Sequence, residues 1–326
     1  VTEDEATVAQ AKAATDAYVA NGTVPGTVGE TFTLTDGLDQ FVGTANEDTF
    51  QGELGGTNSG FTSFDDLNGG AGTDTLNIVV AAAGAQISNT VDISGIEVVN
   101  FDQSAELSGD IDASIFDGAQ QIWQIGDATT VSKLSAGQTA GFRNVVVETA
   151  DTVTYKDDVT TASVALDNVD DNSSVSVVGA DIETVNVSGS IDATAASLNV
   201  NLGANGGGAD AVTALNLALE GNTTVTVSGS NGAELETVDA SGSAGGITYD
   251  LGAIGGSSDD IALESIMGGS GNDDLTIGSL DDLSSDTFAV SGGAGNDVMT
   301  ISATTNGATP TAVAVTVTGG EGNDTL

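Results

Sequence analysis

The sequence predicts an all-β chain, a right-handed parallel β-solenoid preceded by a short N-terminal helix. Three observations carry that expectation. A six-residue phrase with glycines and an aspartate at fixed places recurs as Gly268-Gly-Ser-Gly-Asn-Asp273, Gly292-Gly-Ala-Gly-Asn-Asp297 and Gly319-Gly-Glu-Gly-Asn-Asp324, with a further copy upstream at Gly69-Gly-Ala-Gly-Thr-Asp74. Short runs of Val, Ile, Leu and Ala alternate with Thr, Ser, Asn and Asp, the period-two pattern of strands with one buried face. Glycine is abundant (45 residues) and aromatics are scarce, which suits a narrow coil whose thin interior is filled by small aliphatic side chains.

Taken in order, residues 2–21 read as a helix. Thr2 and Glu5 form a capping box, alanines fill the body, and Gly22 is a stop signal. Val8, Ala11, Thr15, Tyr18 and Val19 share one face. Residues 1–30 are therefore expected to be a helix and linker, either the end of a preceding domain or a cap over strand edges that an open coil would expose. Residues 31–326 are expected to form the solenoid.

The strand pattern begins at Phe32 and leads into Gly43-Thr-Ala-Asn-Glu-Asp48-Thr-Phe50, a degenerate form of the phrase with Asn46 in a glycine position. Repeat-type turns are thus expected at 43–78 and 268–326. The three downstream copies begin at 268, 292 and 319, so those coils are long.

From residue 79 onward a looser unit recurs around Glu97, Glu183, Glu236 and Glu264: an apolar residue, the glutamate, Thr, Ser or Val, then another apolar residue. Its uneven spacing predicts loops of variable length. Phe116 and Trp123, in the most aromatic of these stretches, are expected to be packing anchors under a loop.

The phrase has a chemical reading. Glycine adopts backbone conformations closed to other residues, so a tight turn can aim its carbonyl oxygens inward, and the aspartate adds a carboxylate. Calcium takes roughly six to eight hard oxygen ligands, more than one turn supplies, so stacked turns would share each ion. Glycine and Asn-Asp clusters ordinarily mark β-turns. Here glycine, aspartate and a following apolar residue (Leu76, Leu275, Met299, Leu326) hold the same places in every copy, which points to the calcium-binding nonapeptide.

The candidate ligating positions are Asp48; Gly69, Gly70, Gly72 and Asp74; Gly268, Gly269, Gly271, Asn272 and Asp273; Gly292, Gly293, Gly295, Asn296 and Asp297; and Gly319, Gly320, Gly322, Asn323 and Asp324. Ca²⁺ is the expected cofactor. Three stacked downstream turns would make two inter-turn sites.

Residues 34–50, the stretch Asp65-Asp-Leu-Asn-Gly-Gly-Ala-Gly-Thr-Asp-Thr-Leu-Asn-Ile78 and the three downstream copies resemble the crystalline domain of Caulobacter-type surface-layer proteins, within the larger repeats-in-toxin group. That resemblance implies a secreted structural protein that assembles through calcium, with other copies of itself, into a two-dimensional lattice on the cell surface. It also implies type I export and anchoring on lipopolysaccharide through a segment outside this chain. The chain stops in mid-repeat at Leu326, so we expect a portion of a longer protein. Two alternatives stay open: a calcium-dependent adhesin of the same group, and the roll of a larger type I-secreted protein.

Charge and composition exclude other classes. There are 48 acidic residues against four basic ones, Lys12, Lys133, Arg143 and Lys156, for a net charge of −44. Nucleic acid is bound through Lys and Arg on phosphates, and anionic lipid through basic patches; neither partner fits. No stretch reaches the roughly 20 apolar residues of a membrane span. Without Cys or His, Ser-His, Cys-His and zinc-His chemistry is excluded, and the chain is not expected to be an enzyme. A carboxylate pair of glycosidase type stays open on composition, but its candidates, the acidic pairs Asp157-Asp158, Asp170-Asp171, Asp259-Asp260 and Asp281-Asp282, read as solvated turns or further calcium ligands. The glycine phrases are not phosphate loops, because no Lys or Arg follows them.

Overall fold

The computed structural model describes residues 28–57, 59–148, 151–192, 196–202, 212–228, 234–250, 262–277, 287–301 and 313–326. The helix expected over 2–21 lies outside the described residues. So do Asp259-Asp260 and Asp281-Asp282, whereas Asp157, Asp158, Asp170 and Asp171 stand exposed at turns.

The chain winds as a parallel β-solenoid. One side is a thirteen-stranded sheet that runs from Thr31–Thr33 to Ala314–Glu321, one strand per coil. The return strands form two sheets. Four of them, Gln40–Val42, Asp66–Asn68, Asp92–Ser94 and Phe116–Asp117, pair in the first coils, and nine more run from Ile111–Asp112 to Val298–Ile301. The sheets exchange within one coil, where the 3₁₀ turn Ala113–Ile115 joins Ile111–Asp112 to Phe116–Asp117.

This exchange moves the tight corner of the coil. In the first coils the chain goes from return strand to long sheet through residues 43–48 and 69–74 alone, and from the second coil the slack lies on the other side, in 55–65. In the last coils it leaves the long sheet for the return strand through 268–273 and 295–297. We call the side where the chain enters the long sheet its leading edge and the side where it leaves its trailing edge.

Inside, residues stack in columns because the strand pairs are parallel and keep register, apart from shifts between Val131 and Leu134 and between Leu166 and Val169. Phe50, Leu76, Val99, Ile122, Ala140, Val164, Val187 and Leu217 make one column. Leu198, Val225, Tyr249, Leu275 and Met299 make another on the return side. The apolar residue two places after each motif aspartate is therefore a core residue: Leu76, Leu275 and Met299 are buried. Leu326 is 78% exposed. Coil length is set by loops, from 18 residues where Phe32 faces Phe50 to 30 where Val187 faces Leu217.

The glutamate units form the lip of the leading edge. Glu97, Glu183, Glu236 and Glu264 each precede a long-sheet strand, and their carbonyls accept the N–H groups of Gln121, Ala214, Ser265 and Ala289 from the next coil. Outward Asn side chains bridge coils, as in Asn100 Nδ2 to Asn77 Oδ1 and Asn216 Nδ2 to Asn186 Oδ1, both 2.8 Å.

Phe116 is buried edge-to-face against Phe101, with ring centroids 5.8 Å apart, as a packing anchor should be. Trp123 departs from that expectation. It lies on the outer face over Gly141 of the adjacent strand, where a Cβ would collide with the indole, and Arg143 stacks 4.6 Å from its ring. Phe101→Ala would empty the column at the coil where the return sheets exchange. It should cost about 3–5 kcal/mol, read as a lowered denaturant midpoint.

Candidate metal centres

The motif turns stack in two groups. At the leading edge, 43–48 lies on 69–74; at the trailing edge, 268–273, 292–297 and 319–324 lie on one another. Repetition of one phrase does not reveal this division, because the phrase precedes a strand in either case.

In both groups the aspartates form a hydrogen-bond ladder. Asp48 N–H donates to Asp74 Oδ1 at 2.7 Å, Asp273 N–H to Asp297 Oδ1 at 2.9 Å and Asp297 N–H to Asp324 Oδ1 at 3.2 Å. The rungs at the near ends are Glu30 N–H to Asp48 Oδ1 and Ile247 N–H to Asp273 Oδ1. One carboxylate oxygen per turn thus clips its coil to the preceding one. The side-chain oxygens of Asn272 and Asn296 clip in the opposite direction, accepting the N–H groups of Asn296 and Asn323 of the following coil at 2.7 and 2.8 Å.

The glycines serve two purposes. Gly70, Gly72, Gly293, Gly295, Gly320 and Gly322 have φ between 99 and 133°, a conformation L side chains avoid. The first glycine of each turn is needed for space. A Cβ on Gly43, Gly69, Gly268 or Gly292 would lie within 2.6 Å of two oxygens at once: the carbonyl of Gly69, Gly95, Gly292 or Gly319 in the next coil, and Oδ2 of the turn's own Asp48, Asp74, Asp273 or Asp297. The missing side chain therefore leaves a cradle where a carbonyl and a carboxylate oxygen converge.

Asp74 and Asp297 are 0% and 1% exposed, and their Oδ2 atoms have no hydrogen-bond partner among the described residues. A buried carboxylate oxygen without a partner costs free energy, and a cation offsets that cost. Among the described residues no three acidic side chains converge on one point, so an ion here would rely mainly on backbone carbonyls. Such a hard, all-oxygen donor set with one carboxylate per coil fits calcium and offers nothing to softer metals.

The same aspartates feel one another. Burial raises the Asp74 carboxyl above its usual range, and the charges of Asp48, Glu97 and Glu47 add to that against the hydrogen bond from Asp48. Asp273 is pushed up to about 6 by burial and by Asp297, against hydrogen bonds from Ile247 and Gly269. Asp48 is also desolvated but ends below its usual value, because Glu30 and Thr44 donate to it. An acid whose folded pKa is raised favours the folded state when protonated. In calcium-free protein this stabilisation is complete below the unfolded value of 3.8 and lost as pH rises to about 6. The calcium-free trailing-edge turns should accordingly melt lower at pH 7 than at pH 4.5, and calcium should bind more weakly below about pH 6, because protons compete for Asp273. Melting and calcium titrations across that window check both.

Two buried aspartates escape sequence reading. Asp39 and Asp65 stand nine residues before Asp48 and Asp74 on the trailing edge, and that spacing of nine is the signal that finds them. Their carboxylates close on protein groups, the backbone N–H and hydroxyl of Thr35 for Asp39 and of Thr62 for Asp65, at 2.7–3.0 Å. Thr44 closes on Asp48 in the same way. Compared with known protein families and with curated proteins, the chain matches none. No described helix is long and apolar enough to cross a membrane.

Proposed function

We propose that this chain is a calcium-stabilised structural solenoid of a bacterial surface layer, secreted and assembled with its own copies into a two-dimensional lattice through calcium. The observation that carries the reading is the pair of buried, unpartnered carboxylate oxygens, on Asp74 and Asp297, each facing the glycine carbonyl of the next coil. The charge of −44 supports it: a rod so acidic repels its neighbours until divalent cations bridge them. The role is architectural, without catalysis. Calcium folds the motif turns, and shared calcium joins rods side by side.

Affinity of roughly 10⁻⁴ to 10⁻³ M, the range of extracellular calcium modules, would keep these turns open until the chain meets calcium outside the cell. A submicromolar constant from calorimetry would contradict that coupling. The lattice is tested by electron microscopy of the purified chain with millimolar calcium and with chelator. Ordered sheets in calcium alone are expected; dispersed rods at every calcium concentration would overturn the lattice, and calcium-dependent cell binding by such rods would favour an adhesin.

A further inference from the structure

We infer that the leading edge holds a further divalent-cation site, outside the repeated phrase, between the turn 69–74 and the segment Gly95-Ile96-Glu97. Gly95 stands to Gly69 as Gly69 stands to Gly43. In both cases the carbonyl of the later residue occupies the space of the absent Cβ, beside Oδ2 of the intervening aspartate. Glu97 likewise stands to Asp74 as Asp74 stands to Asp48: Asp74 N–H donates to Glu97 Oε2 at 2.8 Å, and Asp48 N–H to Asp74 Oδ1 at 2.7 Å.

The third coil thus reproduces both features of a motif turn without its sequence. Its corner is shorter, with one residue between glycine and acid where the phrase has four. Glutamate suits this place because its extra methylene brings a carboxylate to the rung from a shorter corner. Gly95 supplies the left-handed residue, with φ of 60°.

The second observation is a buried oxygen that the ladder leaves without a partner. Asp74 is fully buried, its Oδ1 is taken by Asp48 N–H, and its Oδ2 has no partner among the described residues while it faces the Gly95 carbonyl. A divalent oxygen-seeking cation, calcium in the present reading, completes that oxygen, with the Glu97 carboxylate as its second charge. The two-oxygen cradle matches that at Gly292, where Asp297 Oδ2 is the orphan.

The inference rests on the calcium reading, and the test separates the two. Calcium alone is titrated by calorimetry into the whole chain, into Glu97→Gln, which keeps the acceptor for Asp74 N–H and removes the charge, and into Asp297→Asn as a reference. Glu97→Gln is expected to lose one equivalent, or to bind it at least tenfold more weakly, with an unchanged calcium-free circular dichroism spectrum. Glu97→Asp, too short for the corner, should not restore it. Unchanged titration of Glu97→Gln beside altered titration of Asp297→Asn overturns this site and leaves the repeat-turn sites standing. Absence of calcium binding by the unsubstituted chain overturns both.

Discussion

Withdrawal of calcium by excess chelator is expected to open the trailing-edge turns at 268–273, 292–297 and 319–324 while the central coils stay folded. The aspartates of these turns follow one another at successive coils and are clipped by the hydrogen bonds Asp273–Asp297 and Asp297–Asp324. Unit charges about 5 Å apart repel by roughly 3 kcal/mol at an effective dielectric constant of about 20. The basic residues among those described lie elsewhere. Lys133 pairs with Asp112, Arg143 with Asp167, and Lys156 donates to Ser135, all in the middle of the rod.

The central coils carry their stability in apolar columns and outward Asn ladders, neither of which involves an ion. Hydrogen exchange read by mass spectrometry should show the motif turns losing protection first, with residues 121–191 following only under denaturant. Unaltered protection of the motif turns in chelator would remove calcium from their fold.

The second large effect separates two aspartates of identical motif position. Asp297 lies between two turns: its carboxylate accepts from Asp273, and its own N–H donates to Asp324. It thus belongs to both trailing-edge gaps, whereas Asp324 borders one within the described coils. Each site filled at a hundredfold excess over its dissociation constant adds about 2.7 kcal/mol. Asp297→Ala should therefore lose up to about 5 kcal/mol of calcium-linked stability, and Asp324→Ala about half as much. Melting at fixed free calcium reads the difference. Equal losses would mean that the turns do not share ions along one edge.

The sequence made the strands legible because period-two alternation reports directly on which side chains face the core, and Leu76, Leu275 and Met299 lie where that alternation places them. The turns were legible because steric demands on glycine leave a fixed pattern. What stayed hidden was relational. The copy at 69–74 and the copies at 268–324 look alike, yet they occupy opposite edges, since the edge depends on whether a long-sheet or a return strand follows. Asp39 and Asp65 were hidden because threonines replace the glycines in closing their turns. Glu97 stood out only as part of the looser unit, and its place on the aspartate column was hidden because it reaches that column from a corner too short to match the phrase. Trp123 was misplaced because burial statistics for large aromatics do not anticipate a flat glycine on the neighbouring strand.

The account turns on calcium in the cradles between coils, and anomalous X-ray scattering from crystals grown in calcium addresses that point most directly. The predicted result is anomalous density beside Asp297 Oδ2 and the Gly319 carbonyl, with corresponding density beside Asp74 Oδ2 and the Gly95 carbonyl. Cradles with no anomalous signal, the two carboxylate oxygens satisfied by water alone, would contradict it.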